Sequence, residues 1–135
     1  MRVIAFVGPS GTGKSYRSVM VSQQYGADAI IDDGLLISHG KVIAGTSAKK
    51  EPTKIASVKH ALFMNPSQVN EIKKVLKRNK IKCLMILGTS DGMVNKIAKN
   101  IGVHEIEQII RIEDVATPEE MNMALRTVSY THLRA

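Results

Sequence analysis

The sequence predicts an α/β fold with a mainly parallel sheet, because strand and helix patterns alternate along the chain. Continuous apolar runs such as residues 3–7 indicate strands buried on both faces. Segments with apolar residues at helical spacing follow these runs, and capping residues or glycines end them. This alternation implies parallel strands joined by helical crossovers, so ligands are expected at the carboxyl ends of the strands.

The first half of the chain carries two predicted strands, a helix between them and a hairpin. The helix is predicted over Lys14–Tyr25, where Gly26 supplies a left-handed C-cap. The second strand, residues 29–31, ends in the acidic pair Asp32 and Asp33. Two short apolar runs then flank a turn at residues 38–40 and predict a small β-hairpin inserted after the second strand.

The second half predicts three helices and two further strands. Pro52 suits the first turn of a helix, and Asn65 with Pro66 ends that helix and starts another. The inner apolar stripe of the first of these helices is predicted at Ile55, Val58, Ala61 and Leu62. Residues 82–87 and 109–112 predict the third and fourth strands. The helix between them has capping oxygens at Thr89, Ser90 and Asp91, and it is closed by Gly102.

Residues 117–120 combine an N-cap, a proline at the first helical position and a capping-box glutamate, so a last helix through Leu125 is expected. The octapeptide after Thr127 shows no strand pattern and resembles a translated sequencing adapter. We therefore expect residues 1–127 to be one incomplete, C-terminally truncated nucleotide-binding domain, and residues 128–135 to be a non-native or disordered tail.

Composition limits the class of protein. A length of 135 residues with 44% hydrophobic content suits a single domain. The lone cysteine, Cys83, lies in an apolar run and indicates a reducing compartment, so a cytoplasmic location is expected. No apolar window is long enough for a signal peptide or a membrane span, so no membrane association is expected.

The net charge of +7 fits nucleic acid, an anionic membrane surface or phosphate-bearing ligands. Much of this charge lies around one predicted helix and the turn after it, at Lys73, Lys74, Lys77, Arg78, Lys80 and Lys82. Such a cluster is more typical of a solvated face. Only 4% of the residues are aromatic and none is tryptophan, so a nucleic-acid partner is possible but not favoured. Nothing in the sequence identifies a protein partner.

One motif carries specific chemistry and matches G-x-x-x-x-G-K-[ST] between a strand and a helix. Its residues, with the tyrosine that follows, are Gly8, Pro9, Ser10, Gly11, Thr12, Gly13, Lys14, Ser15 and Tyr16. Glycines allow the backbone to curl around a phosphate with its amides inward. The start of the helix adds positive potential, Lys14 can reach the β- and γ-phosphates, and the Ser15 hydroxyl can ligate Mg²⁺. The motif predicts a site for a nucleoside triphosphate with Mg²⁺.

With this motif, residues 1–125 resemble the P-loop NTPase superfamily. The resemblance implies a three-layer αβα sandwich and ATP with Mg²⁺ as ligands. Residues 30–37 and 44–51 also resemble a group of small bacterial ATP-binding P-loop proteins of unsettled function. GTPases of the superfamily carry N-K-x-D, whereas the segments at residues 79–82 and 95–98 lack its aspartate. The resemblance therefore favours adenine over guanine.

A second metal-anchoring carboxylate is expected at the end of a neighbouring strand. Asp32 is the first choice, because its spacing from Lys14 is similar to that in small-molecule kinases of the superfamily. By the same resemblance Asp33 would face a substrate. An acidic turn leading into the hairpin explains this pair in purely structural terms. Asp91 is the rival metal carboxylate, although capping the next helix explains it equally well.

Three functions are compatible with these residues. The first is a slow ATPase or a nucleotide-dependent switch. The second is a small-molecule phosphotransferase in which Lys14 and Asp33 are catalytic and Asp33 orients the acceptor. The third is a nucleic-acid-associated ATPase. Thr89 or Ser90 could sense the γ-phosphate, with capping the more ordinary role. Lys49, Lys50 and Lys54 could close over phosphates, with a solvated loop the more ordinary explanation.

Overall fold

The structure is a computed structural model, and it describes residues 1–115. The predicted capping box at residues 117–120, the last helix through Leu125 and the tail at residues 128–135 lie outside the described residues.

The described residues form six strands and five α-helices. The strands are β1 (Arg2–Val7), β2 (Ala29–Asp32), β3 (Leu35–Ser38), β4 (Lys41–Gly45), β5 (Cys83–Gly88) and β6 (Gln108–Arg111), and β2, β3 and β4 follow one another without an intervening helix. The helices are α1 (Lys14–Tyr25), α2 (Lys54–Ala61), α3 (Pro66–Arg78), α4 (Asp91–Ile101) and the short α5 (Ile112–Val115), with a 3₁₀ turn at Ala48–Lys50. The predicted strands and helices of this region are confirmed, with small shifts at their ends.

The six strands form one mixed sheet in the order β4-β3-β2-β5-β1-β6. The four strands β2, β5, β1 and β6 are parallel. The predicted hairpin is confirmed as β3 and β4, which pair antiparallel and extend the sheet beyond β2. Val7 pairs with Gly88, and Ile31 pairs with Ile86. The carboxyl ends of β1, β5 and β2 therefore lie along one edge of the sheet, where ligands of parallel α/β sheets bind.

The core lies on both faces of the sheet because successive strand residues point to opposite sides. In β1, Val3 and Ala5 join one cluster and Ile4 and Phe6 join the other. Residues of α3 and α4 cover the first face, and Val21 of α1 covers the second. Burial of a side chain as large as that of Phe6 stabilises the fold by about 1.5–3 kcal/mol. This arrangement is consistent with three layers.

Local capping chemistry accounts for most helix ends. Gly26 and Gly102 adopt left-handed φ values of 76° and 71° after α1 and α4, as predicted for C-cap glycines. Asn65 caps α3 by accepting a hydrogen bond from the backbone N–H of Ser67, and Pro66 occupies the first turn. The prediction that Pro52 lies in the first turn of a helix is wrong: Thr53 is the N-cap of α2, and the proline precedes that cap.

The predicted inner stripe of α2 is also wrong at its first two positions. Ile55 is 71% exposed and Val58 is 51% exposed, and α2 has no fully buried residue. The physical reason is that α2 packs mainly on the 3₁₀ turn at Ala48–Lys50 and not on a face of the sheet. The first two apolar side chains of the predicted stripe therefore do not pack against the core. None of the helices within residues 1–115 is long and apolar enough to cross a membrane.

Candidate functional site

The segment from Gly8 to Ser15 is a curled loop between β1 and α1. The Thr12 hydroxyl donates a hydrogen bond to the Pro9 carbonyl at 2.7 Å, and Lys14 Nζ donates to the Gly8 carbonyl at 2.9 Å. The Gly8 N–H donates to the Gly88 carbonyl at 3.1 Å, which fastens the start of the loop to the end of β5. The chain thus turns back on itself instead of running extended into the helix.

Three glycines allow this path. Gly11 and Gly13 have φ values of 79° and 86°, a region that costs a residue with a β-carbon about 1–2 kcal/mol. At Gly8 the restriction is steric, because an added β-carbon would lie 2.7 Å from Ile112 Cγ2. Gly13 is also the N-cap of α1 and supplies no side-chain acceptor for the first N–H groups of that helix. Those groups belong to the positive end of the helix dipole, which favours an anion.

Lys14 is half-buried at the base of the loop. Burial lowers the pKa of its ammonium group, and the negative charge of Asp32 partly opposes this effect. The only hydrogen bond of Nζ within the described residues goes to a neutral carbonyl, that of Gly8. A cation in this setting would gain more from a phosphate oxygen, because charge-assisted hydrogen bonds are about twice as strong as neutral ones.

Ser15 and Asp32 come together from different elements. Ser15 Oγ, in the first turn of α1, donates a hydrogen bond of 2.8 Å to Asp32 Oδ2 at the end of β2. The Asp32 carboxylate is half-buried and lies close enough to Lys14 to act on its charge. A hydroxyl oxygen and a carboxylate oxygen are both ligands that Mg²⁺ accepts. These are the two side chains that the sequence predicted for the metal.

Asp33 is held rigidly beside this pair. Its backbone has a φ of 53°, a left-handed conformation that aspartate tolerates better than most residues. Asp33 Oδ2 accepts a hydrogen bond from Ser47 Oγ at 2.9 Å, and the Asp33 carbonyl accepts one from the Ala48 N–H at 2.9 Å. The segment after β4 therefore fixes the orientation of this carboxylate.

His60 of α2 packs against the turn that follows Asp33. Its Nε2 lies 2.6 Å from the Thr46 carbonyl, and its Nδ1 lies 3.4 Å from Glu51 Oε1. An added β-carbon at Gly34 would lie 2.6 Å from the imidazole ring, so the ring closes directly over the turn that follows Asp33. Sequence reasoning missed both Ser47 and His60. Neither belongs to a motif: the hairpin returns Ser47 to Asp33, and the packing of α2 brings His60 to the turn after Asp33.

Thr89 and Ser90, the two candidates for phosphate sensing or capping, make different contacts. Ser90 is the N-cap of α4, because its Oγ accepts a hydrogen bond from the Met93 N–H at 3.2 Å. Thr89 takes no part in this cap. Its N–H and its hydroxyl both donate to the sulfur of Met93, at 3.4 Å and 3.5 Å.

Asp91 is paired with Arg111 and does not line the cleft that Ser15 and Asp32 share. Its two carboxylate oxygens accept from Arg111 Nη1 and Nη2 at 2.9 Å and 2.8 Å, a bidentate ion pair on the protein surface. The hydrogen bonds from Arg111 hold the pKa of Asp91 below its ordinary value. Both oxygens of the rival metal carboxylate are thus already used by a guanidinium group.

A cleft of about 470 Å³ joins these groups at the carboxyl ends of β1, β2 and β5. Its walls are formed by Ser10, Gly11, Gly13, Lys14, Ser15, Tyr16, Asp32, Asp33, Lys49, Leu87, Gly88, Thr89 and Met93. The set contains most of the predicted loop residues and both carboxylates of the acidic pair, whereas Asp91 is not part of it. Tyr16 is 86% exposed at the rim. The cleft thus combines the ammonium group of Lys14, hydroxyl groups and the carboxylates of Asp32 and Asp33.

The predicted basic segments lie in different places. Lys49 lines the cleft opposite the loop, whereas Lys50 and Lys54 do not. The larger basic cluster follows α3 to Lys82, just before β5 begins. Because β5 is parallel to β1, Lys82 and the phosphate-loop segment lie at opposite ends of the sheet.

Comparison of the chain with protein-family models, with curated proteins and with solved structures found no match.

Proposed function

We propose that this protein binds ATP with Mg²⁺ in the cleft and acts as a slow ATPase or a nucleotide-dependent switch, with a P-loop NTPase-like fold. The observation that carries the proposal is the hydrogen bond between Ser15 and Asp32 beside the curled glycine loop. It places a hydroxyl and a carboxylate together at the foot of a helix whose first N–H groups have no side-chain cap.

The oxygen positions suit the metal. Mg²⁺ prefers octahedral coordination at about 2.0–2.1 Å, so two ligands on adjacent corners lie about 2.9 Å apart. Ser15 Oγ and Asp32 Oδ2 are 2.8 Å apart. The ion would supply positive charge at the β- and γ-phosphate oxygens, with Ser15 as a direct ligand and Asp32 as a ligand either directly or through water.

The rest of the loop has complementary roles in this proposal. The backbone from Gly8 to Gly13 would cradle the β-phosphate, and Lys14 would leave the Gly8 carbonyl for phosphate oxygens. Because burial already lowers the pKa of Lys14, an anion beside it would relieve an unfavourable setting for the ammonium group. The exposed ring of Tyr16 would lie next to the phosphates at the rim of the cleft.

Calorimetric titration of the full chain with ATP, GTP and ADP, with and without Mg²⁺, tests the proposal. We expect ATP and ADP to bind, Mg²⁺ to strengthen ATP binding, and GTP to bind more weakly. The adenine preference rests on the absence of N-K-x-D from the sequence. If no nucleotide binds at millimolar concentration with Mg²⁺ present, the proposal fails.

A phosphotransferase is the second candidate, and the fixing of Asp33 favours it. Asp33 Oδ2 is held by Ser47, while Oδ1 has no hydrogen-bond partner within residues 1–115. A carboxylate oriented in this way could accept a proton from the hydroxyl of an acceptor bound between Lys49 and the loop. Release of ADP from ATP that depends on an added hydroxylated metabolite would favour this candidate over the switch.

The cleft offers no support for a nucleic-acid-associated ATPase. The basic cluster that suggested it lies at the opposite end of the sheet, around the start of β5. That function would be supported if RNA or DNA stimulated ATP turnover and if the stimulation fell steeply as the salt concentration rose.

A further inference from the structure

Two hydrogen-bond donors of one residue share an unusual acceptor at the edge of the cleft. The N–H and the hydroxyl of Thr89 both point at Met93 Sδ, at 3.4 Å and 3.5 Å. A thioether sulfur is a weak acceptor, and a phosphate oxygen accepts much stronger, charge-assisted hydrogen bonds. The sulfur therefore occupies a place from which a phosphate oxygen would displace it.

Thr89 lies next to the start of the glycine loop. Gly88, which precedes it, pairs with Val7, and the Gly88 carbonyl accepts the Gly8 N–H. The Gly8 carbonyl in turn accepts Lys14 Nζ. Thr89 and Lys14 are therefore linked through one short chain of hydrogen bonds and line the same cleft. The terminal phosphate reached by Lys14 would come to this side.

Capping does not explain the geometry of Thr89, since Ser90 alone performs that role for α4. Close packing links Met93 to the strand end. An added β-carbon at Gly88 would lie 2.6 Å from Val94 Cγ1 and 3.4 Å from Met93 Sδ. Because the first turn of α4 packs so tightly against Gly88, a change in the Met93 rotamer would shift that turn.

We propose that Thr89 distinguishes a bound triphosphate from a diphosphate: its N–H and hydroxyl leave the Met93 sulfur for a γ-phosphate oxygen. Met93, which belongs to the first turn of α4, changes its rotamer when Thr89 releases it and so transmits the nucleotide state to that helix. The inference rests on the proposed ATP binding. It adds Thr89 as the residue that distinguishes triphosphate from diphosphate and α4 as the helix that responds.

The test uses full-length protein labelled with ¹³C at the methionine methyl groups and with ¹⁵N in the backbone. Replacing Met93→Leu assigns the Met93 methyl resonance by its loss. Spectra are recorded with Mg²⁺ and either ADP or a non-hydrolysable ATP analogue. We expect the Met93 methyl and the Thr89 amide resonances to shift with the triphosphate analogue and much less with ADP.

Affinities provide an independent arm. Thr89→Val removes the hydroxyl at nearly constant shape and should lower the ratio of triphosphate to ADP affinity about 10-fold, which corresponds to about 1.4 kcal/mol. Thr89→Ser keeps the hydroxyl and should retain the ratio to within about 2-fold. Met93→Leu removes the competing acceptor at similar volume and should raise the ratio at least about 2-fold.

The outcomes separate the two proposals. If both nucleotides bind while Met93 shifts equally with each, or if Thr89→Val leaves the affinity ratio unchanged, the discrimination role of Thr89 is refuted and ATP binding stands. If neither nucleotide binds, both proposals fall together.

Discussion

Ser15 Oγ donates a 2.8 Å hydrogen bond to Asp32 Oδ2, which joins the first turn of α1 to the end of β2. In the sheet, β5 lies between β2 and β1, the strand that leads into the loop. The contact therefore spans the edge of the sheet above β5. It brings together two oxygen atoms of the kinds that Mg²⁺ accepts as ligands.

Asp32 should control the effect of Mg²⁺ on nucleotide binding. In Asp32→Asn the strengthening of ATP binding by Mg²⁺ should fall about 10-fold or more, because an amide replaces a charged oxygen ligand beside Ser15. Titration calorimetry with and without the metal measures this effect. Asp91→Asn is the matched control, since it alters only an exposed pair with Arg111. A larger loss in Asp91→Asn would transfer the metal role to that residue.

Lys14 should matter for binding and little for folding. Lys14→Met should weaken ATP binding about 100-fold or more, because two charge-assisted hydrogen bonds are lost at about 1.5–3 kcal/mol each. The free energy of unfolding should stay the same or rise, since burial disfavours the ammonium group. Calorimetry measures the loss of ATP affinity, and urea denaturation measures the free energy of unfolding. Undiminished ATP binding in this variant would contradict the loop assignment.

The affinity for ATP should fall as the pH rises in the alkaline range. Burial lowers the pKa of Lys14 in the free protein, and a bound polyphosphate would raise it again. Between those two pKa values the complex holds a proton that the free protein lacks, so binding takes up protons and weakens with increasing pH. Calorimetry at a series of alkaline pH values, in buffers of different ionisation enthalpy, measures the uptake. Wild-type protein without proton uptake, or Lys14→Met with the same uptake, would rule Lys14 out as its source.

Two glycines of the hairpin should differ in their response to alanine. Gly45 and Gly40 have similar positive φ values of 83° and 75°. An added β-carbon at Gly45 would collide with the Gly34 carbonyl oxygen, whereas one at Gly40 would meet nothing within 4 Å. We expect Gly40→Ala to cost about 1–2 kcal/mol for its backbone alone and Gly45→Ala to cost about 2 kcal/mol more. Equal losses in urea denaturation would show that the tight turn beside Asp33 relaxes freely.

Local patterns predicted the elements well. Gly26 and Gly102 stop their helices with left-handed φ values, and Ser90 and Asn65 start theirs with side-chain caps. The buried runs that became β1 and β5 stood out for the same reason, since each consists of apolar residues that bury both faces. These features depend on residues within a few positions of one another, so periodicity and capping rules capture them.

The failure at Ile55 and Val58 shows the limit of periodicity. Their spacing predicts that they share a face of α2 with Ala61, but not that this face meets a core. Because α2 packs mainly on the 3₁₀ turn and not on a face of the sheet, both side chains are left mostly exposed. The contacts of Ser47 and His60 could not be predicted from the sequence for the same reason. They depend on how the hairpin and α2 pack in the folded protein.

By itself the sequence determined the glycine loop between a strand and a helix, because its spacing and its flanking patterns are local. It left two carboxylates, Asp32 and Asp91, competing for one metal position. Tertiary structure decided their neighbours: the strand order sets Asp32 beside Ser15, while Asp91 meets Arg111 at the end of β6. The physical reason is that such pairs form through space between strands, and strand order is a property of the whole packed sheet.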